Sequence, residues 1–213
     1  MKKLQSTLPN MALVLTLIAV LAAGVLAYVN QVTKGPIEAN KQKTLAEGIN
    51  SVLGGAQADV QKTDTLKDAN ENDVVIYVTN QGVAVKATDP NGFGGPLTVL
   101  VGFDEAGTIK GYTVLEHAET PGLGAKASFW FQEGQKGNII GLNPGEKELT
   151  VSKDGGQVDA ITASTITSRA FLRAVNSAFH AYVSAPASAD AESGATAQQH
   201  AATPQTEVTD TIN

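Results

Sequence analysis

The first thirty residues of the chain contain a long apolar run behind a short basic start. Met11 to Val29 is 19 residues long and has no charged side chain. As a helix it would be about 28 Å long, close to the hydrocarbon thickness of a bilayer. We expect a cytoplasmic N-terminus at residues 1–10 and an uncleaved transmembrane helix at 11–29. A cleaved signal peptide is the alternative, since Ala23 to Ala27 offers small residues near a cut.

Behind this run the pattern changes to short elements. Gly35-Pro36 is expected to break the chain, and apolar residues at helical spacing then predict a helix over Glu38–Leu53. Runs rich in β-branched residues predict strands at Asp73–Thr79, Val83–Thr88, Leu97–Phe103, Thr108–Leu115, Glu148–Ser152 and Gln157–Ile161. Two more helices are expected near Ser128–Glu133 and Ile166–Tyr182, the second with an apolar stripe at Val175, Phe179 and Val183.

This order of elements predicts an α+β domain at residues 30–183. Strands in a run with helices at the edges favour a largely antiparallel sheet with flanking helices. Ser184–Asn213 has four acidic residues, no Lys or Arg and two prolines, so it cannot bury enough apolar surface to fold. We expect a disordered acidic tail there, and a function located in residues 30–183.

Composition narrows the possible chemistry. The net charge is −6, with 15 basic and 21 acidic residues and no basic cluster, which argues against nucleic-acid binding. The absence of cysteine excludes disulfides, thiolate metal sites and a cysteine nucleophile. Three histidines at no metal-ligand spacing make a metal site unexpected. Hydroxyls, backbone groups, carboxylates or a bound organic cofactor remain.

The segment Asp159–Arg169 carries five hydroxyls within seven residues, between an expected strand and an expected helix. One interpretation is a helix start, where Ser and Thr side chains cap open N–H groups. The other is a phosphate site, because a helix N-terminus favours an anion. Arg169 could add a charge-assisted contact there, and a hydroxyl could hold the phosphate as an ester.

A second unusual segment is the loop His117–Lys126. Gly122 and Gly124 on either side of Leu123 would let the backbone approach a flat ligand closely. A simple turn fixed by Pro121 explains the same residues. Composition does not separate these two interpretations.

Two stretches together resemble a known family. They are GFGGPLTVLVGFDEAGTIKGYTVLEHAETPGLGAKASFW at residues 92–130 and VDAITASTITSRA at residues 158–170. They are similar to the covalent-FMN domain of the Rnf and Nqr respiratory complexes, the second being the Na⁺-translocating NADH:quinone reductase. The chain resembles the G subunit of the Rnf complex more than the C subunit of the Nqr complex.

The resemblance implies a covalent FMN on Thr165. In the family, a separate flavin transferase moves FMN from FAD to this threonine as a phosphoester. Thr162 matches the Ser/Thr position of the motif, whereas Ala163 and Ser164 stand where the family usually has Gly and Ala. The loop Glu119–Lys126 would lie against the flavin ring. The implied cofactor-binding residues are Thr165, Thr162, Ser164, Thr167, Glu119, Thr120, Gly122, Leu123, Gly124 and Lys126, with no metal.

The function implied by the resemblance is electron relay within a membrane complex. Such a complex is a ferredoxin:NAD⁺ oxidoreductase that translocates Na⁺ or H⁺, and this subunit would work with its other subunits and turn over no substrate alone. The chain would cross the inner membrane once, with the FMN domain outside the cytoplasm. One alternative is a tethered flavoprotein that passes electrons to an extracytoplasmic acceptor outside any ion pump. Another is an extracytoplasmic binding domain without a cofactor.

Overall fold

The computed structural model describes residues 7–55 and 57–185, and its first element is one long helix, α1. This helix runs over Leu8–Val52, a length of 45 residues, with Pro36 inside it. The expected break at Gly35-Pro36 is therefore wrong. A proline inside a helix costs about 3 kcal/mol. The unbroken helix keeps its other backbone hydrogen bonds, whereas a break would leave about four N–H and four C=O groups at the new helix ends without helical partners.

The two ends of α1 have different surroundings. Within the described ranges, α1 is the one helix long and apolar enough to cross a membrane, and its apolar stretch is fully exposed. This fits a single-pass membrane protein. The last turns pack on the folded domain instead, where Gly48, Ile49 and Val52 are buried. The domain boundaries at residues 10, 29 and 183 stay predictions.

The folded domain is built on an antiparallel sheet with strand order β1-β2-β3-β4-β5. The strands are β1 Val60–Lys67, β2 Asp73–Thr79, β3 Gly82–Asp89, β4 Leu97–Phe103 and β5 Ile109–Glu116. The α+β prediction is confirmed, and β2 to β5 lie within one residue of their predicted bounds. The sequence did not predict β1, because it is an exposed edge strand with mostly polar residues.

The two strands predicted at Glu148–Ser152 and Gln157–Ile161 are wrong. The structure has only one isolated bridge there, between Val151 and Val158, around a 3-10 turn at Ser152–Asp154. The three apolar residues Val151, Val158 and Ile161 are nevertheless buried. Because they are β-branched and apolar, they make the segment look like a strand, but in the structure they attach a loop to the core and add no strand to the sheet.

The sheet is covered on both faces. The end of α1 packs Ile49, Val52 and Leu53 against one face. Helix α3, Thr165–Ser184, covers the other face, and the short α2, Ala127–Trp130, lies beside it. The stacked rings of Phe131 and Phe171, 4.2 Å apart, belong to this second core. The start of α3 is thereby fixed relative to the loops at one end of the sheet.

The C-terminal end of α3 differs from its prediction. The helix extends to Ser184, and Ala185 is buried. Val183 is 55% exposed, because the buried stripe runs through Phe171, Val175, Ala178 and Tyr182. The rest of the predicted tail, residues 186–213, lies outside the described residues.

Candidate functional site

The hydroxyl-rich segment forms the first turn of α3. Ser164 is the N-cap residue, but its side chain makes no capping hydrogen bond. Ser168 Oγ instead accepts the N–H of Ile161 at 2.9 Å and donates to Ser164 O at 3.0 Å, which fixes the entry into the helix. The capping interpretation is therefore wrong for Ser164. The first N–H groups of α3 have no side-chain cap and can receive an anion.

The residue before this N-cap has a left-handed backbone. Ala163 has φ = +61°, where an L side chain crowds the following carbonyl at a cost of about 1–2 kcal/mol. The chain therefore has a positive φ at this position although the residue is not glycine. Glycine, the residue typical of the resembled motif here, would adopt this conformation without strain.

Replacing Ala163 by Gly is expected to stabilise the protein. The gain in the free energy of unfolding should be about 0.5–1 kcal/mol, since the relieved strain exceeds the added chain entropy. Thermal or denaturant unfolding of the purified protein measures it. The control is Ala118→Gly, because Ala118 is also exposed but has no positive φ. That variant should lose stability, and an equal response of both variants would contradict the strain at Ala163.

A lysine lies beside the hydroxyl of Thr165. Lys153 Nζ donates to Thr165 Oγ1 at 3.2 Å. Lys153 is the middle residue of the 3-10 turn, and the residues on both sides of it are held in place. Ser152 Oγ donates to Asp159 Oδ1 at 3.1 Å, and the Asp154 carboxylate is bound by Arg169. An ammonium group is thereby positioned next to the predicted acceptor hydroxyl.

Arg169 does not have the position that the sequence suggested. Its Nε and Nη2 donate to the two oxygens of Asp154, both at 2.7 Å. The hydrogen bond from Arg169 lowers the pKa of the Asp154 carboxyl below its usual value. Because this bidentate pair occupies the guanidinium, Arg169 positions the 3-10 turn, and Lys153 is the cation at the start of α3.

The loop His117–Lys126 contains the turn that Pro121 suggested. Leu123 N donates to Thr120 O at 3.1 Å, and Gly122 has φ = +75°. Proline followed by a glycine with positive φ is the residue pattern of a type II turn. The turn presents Thr120 and Leu123 on the same side of the loop as the start of α3, since both line one cleft with it. The two interpretations of this loop are therefore compatible, because the turn at Pro121 is also what brings Thr120 and Leu123 to the cleft.

Glu119 connects the elements around this cleft. Its Oε2 accepts from Thr167 Oγ1 at 2.7 Å, and its Oε1 accepts from Gly94 N at 3.4 Å. Glu119 is 5% exposed and Thr167 is 1% exposed. A Cβ atom on Gly124 would overlap Glu119 Oε2. The loop, α3 and the β3–β4 connection therefore meet at one buried carboxylate.

The cleft between these elements has a volume of about 320 Å³, within the range of roughly 300–1,000 Å³ for small-molecule sites. Hydroxyls and open N–H groups lie at the start of α3, and three large apolar side chains are exposed beside them. The lining residues are Phe93, Glu119, Thr120, Leu123, Gly124, Ala163, Ser164, Thr165, Ile166 and Thr167. This arrangement suits a ligand with a phosphate and a flat apolar ring.

Most of the predicted binding residues meet in this cleft, but three do not line it: Thr162, Gly122 and Lys126. The sequence missed Phe93, Ile166 and Lys153. Phe93 stands among three glycines, which was a usable signal of close backbone packing. Lys153 has no such signal. A larger groove of about 700 Å³ between α1 and the sheet contains none of the motif residues.

The comparison with protein families first defines the class. A family model described as the FMN-binding domain matches residues 92–180, which include every residue of the cleft. A second model, described as the RnfG N-terminal region, matches residues 1–52, the span that ends with α1. The chain is thus similar to proteins that join such an N-terminal region to an FMN-binding domain.

Individual relatives then show the family. Three of them are named as the G subunit of an ion-translocating oxidoreductase complex. The one from Aliivibrio fischeri is 32% identical over 193 residues, which are 83% of this chain and 91% of the relative. The one from Cereibacter sphaeroides is 37% identical, over 77% and 79%, and the one from Cronobacter sakazakii is 35% identical, over 81% and 88%. The chain belongs to this G-subunit family, and the resemblance seen in the sequence is confirmed.

Proposed function

We propose that this chain is the electron-relay flavoprotein subunit of a membrane-bound, ion-translocating ferredoxin:NAD⁺ oxidoreductase complex. The single observation that carries the proposal is the cleft, which joins an uncapped helix start to an exposed apolar rim inside the matched FMN-binding domain. A bound FMN supplies the redox chemistry through its isoalloxazine ring. The residues of the chain bind the phosphate, orient the ring and shield it from water.

The FMN is attached covalently to Thr165. Thr165 is half-buried at the first position of α3, which leaves part of the residue open to a transferase. In the attachment step Thr165 Oγ1 bonds to the FMN phosphorus of FAD while the phosphoanhydride bond breaks. AMP leaves, and the hydroxyl proton passes to a base of the transferase. The product phosphodiester carries one negative charge at the start of α3, where the helix dipole and open N–H groups favour an anion.

Lys153 supports this assignment of the phosphate. Its ammonium group donates to Thr165 Oγ1 in the structure, and the same group lies within reach of an ester on that oxygen. A charge-assisted hydrogen bond to a phosphate oxygen is stronger than one between neutral groups. The 3-10 turn positions Lys153 there, because its neighbours Ser152 and Asp154 are hydrogen-bonded to Asp159 and Arg169. Ser164 also lines the cleft beside Thr165, whereas Thr162 does not line it.

Thr120 and Leu123, which line the cleft, are the loop residues that would hold the flavin ring. Leu123 is 41% exposed beside the cleft and offers an apolar surface to a flat ring. Thr120 offers a hydroxyl on the same turn. Gly122 and Lys126, which do not line the cleft, shape the loop from outside it.

The surroundings of the chain follow from the same proposal. The subunit assembles with the other subunits of the complex in the inner membrane and requires a flavin transferase for maturation. Translocation is of Na⁺ or H⁺. The FMN domain lies on the extracytoplasmic side, where a covalent bond prevents loss of the cofactor. The continuity of α1 supports an uncleaved anchor, because a cut near Tyr28 would fall inside a helix that continues to Val52.

One experiment tests both the covalent flavin and the side of the membrane. The natural chain has no cysteine, so Lys136→Cys creates a single labelling site on an exposed residue of the domain. Intact cells that produce this full chain and a flavin transferase are treated with a membrane-impermeant fluorescent maleimide. We expect one band on a denaturing gel with both flavin and maleimide fluorescence.

The matched control places the cysteine at Lys3 instead. This variant should carry flavin but react with maleimide only after lysis. A Lys136→Cys band without flavin would contradict the covalent FMN. A flavin band that reacts only after lysis would contradict the extracytoplasmic location of the domain.

A further inference from the structure

An aromatic side chain is exposed at the cleft and pairs with no other aromatic ring among the described residues. Phe93 lies in the β3–β4 connection, residues 90–96, lines the cleft and is 67% exposed. We propose that Phe93 forms a wall of the flavin-ring site, where its ring packs on a flat face of the isoalloxazine and excludes water. This inference rests on the proposed FMN function and assigns it a residue from a third element, separate from the acceptor turn and the Thr120–Leu123 loop.

The backbone around Phe93 is fixed rather than loose. A Cβ atom on Gly94 would overlap the carbonyl of Ala118, and one on Gly92 would lie 2.7 Å from Glu119 Oε1. Gly94 N also donates to Glu119 Oε1 at 3.4 Å. Glycine at both positions therefore lets the connection pack directly on the backbone and carboxylate of the neighbouring loop. The side chain between these two glycines is held at the cleft.

A second contact fixes the beginning of the same connection. Asp89, the last residue of β3, is 6% exposed and binds Arg173 of α3 through hydrogen bonds of 2.7 and 2.9 Å. Its Oδ1 also accepts from Asn91 N at 2.8 Å. The connection is thus tied to α3, the helix whose first residue is the proposed acceptor. Phe93 and Thr165 are positioned by one common framework.

The chemistry of the exposed surface favours a flat ring as the partner of Phe93. Phe93, Leu123 and Ile166 come from three elements, line the same cleft and are each at least 41% exposed. Aromatic rings gain from offset stacking beyond the burial of their area. A flavin tethered at Thr165 would place its large flat ring beside these three apolar side chains. The polar contacts at the start of α3 remain for its phosphate.

The experiment measures how well water-soluble iodide reaches the flavin. Full-length parent, Phe93→Ala and Phe93→Leu are produced with a flavin transferase and purified, and flavin fluorescence is quenched with increasing iodide. We expect Phe93→Ala to steepen the quenching slope by roughly twofold, because one face of the ring loses its cover. Phe93→Leu should lie between the parent and Phe93→Ala. The slopes are compared at equal covalent flavin content, since the phosphoester forms on Thr165 and not at Phe93.

The matched control is Phe129→Ala, since Phe129 is also half exposed but lies on α2 and does not line the cleft. Its quenching slope should equal that of the parent. A parent with covalent flavin and a Phe93→Ala slope unchanged from it would overturn the role of Phe93 and leave the proposed function standing. A parent without covalent flavin would overturn both.

Discussion

Replacing Thr165 by Ala is expected to abolish covalent flavin in protein that is produced together with a flavin transferase. The phosphoester needs a side-chain oxygen, and alanine has none, so the loss should be complete rather than partial. In-gel flavin fluorescence after denaturation measures it. The fold should persist, because Thr165 is half-buried and its side-chain hydrogen bond is the exposed one with Lys153.

The neighbouring hydroxyls are the matched controls for this variant. Thr162→Ala and Ser164→Ala should keep some covalent flavin, since Thr162 is exposed outside the cleft and Ser164 Oγ makes no capping bond. Thr167 is a poor acceptor, because its hydroxyl is buried and donates to Glu119. Peptide mass spectrometry that locates the FMN mass on Ser164 or Thr167 would overturn the assignment to Thr165.

The sheet was predictable where its strands carry regular apolar side chains. β2 and β4 have Val, Ile and Leu in short runs between turn residues, and the structure gives both the predicted bounds. β1 lacks this signal because an edge strand pairs through its backbone while its polar side chains face water. The residues around Val151 have the β-branched apolar pattern of a strand but form none, because three buried apolar side chains attach a loop to the core there.

The site was predictable in its motifs but not in its contacts. Glu119 and Thr167 are 48 residues apart in sequence, and only the fold brings their side chains to 2.7 Å. Lys153 could not be singled out, because a lysine in a polar turn is ordinarily solvated. Its position depends on the ion pair of Asp154 and Arg169, which sequence spacing does not reveal. The interpretation of Gly124 changes for the same reason. The structure adds a second reason for a glycine there, because a Cβ atom would overlap Glu119 Oε2.

Replacing Gly124 by Ala is therefore expected to cause the largest loss of stability in the loop. The new Cβ would overlap Glu119 Oε2 and lie 2.7 Å from Thr167 Oγ1, so it must break the buried hydrogen bond between them. Overpacking and the loss of a hydrogen bond to a carboxylate should together lower the free energy of unfolding by about 2–4 kcal/mol. Thermal unfolding of the purified protein measures this loss. The flavin absorption spectrum should also shift, because the loop and the start of α3 separate around the ring.

Gly122→Ala separates this steric effect from backbone conformation. Gly122 has φ = +75° and nothing within 4 Å of an added Cβ, whereas Gly124 has no positive φ and a crowded Cβ position. The Gly122 variant should lose only about 1 kcal/mol, from backbone strain alone, and should keep the parent flavin spectrum. If Gly122→Ala lowered the free energy of unfolding as much as Gly124→Ala does, the backbone conformation of the turn would be what fixes the loop. The buried bond between Glu119 and Thr167 would then not be what joins the two motifs of the cleft.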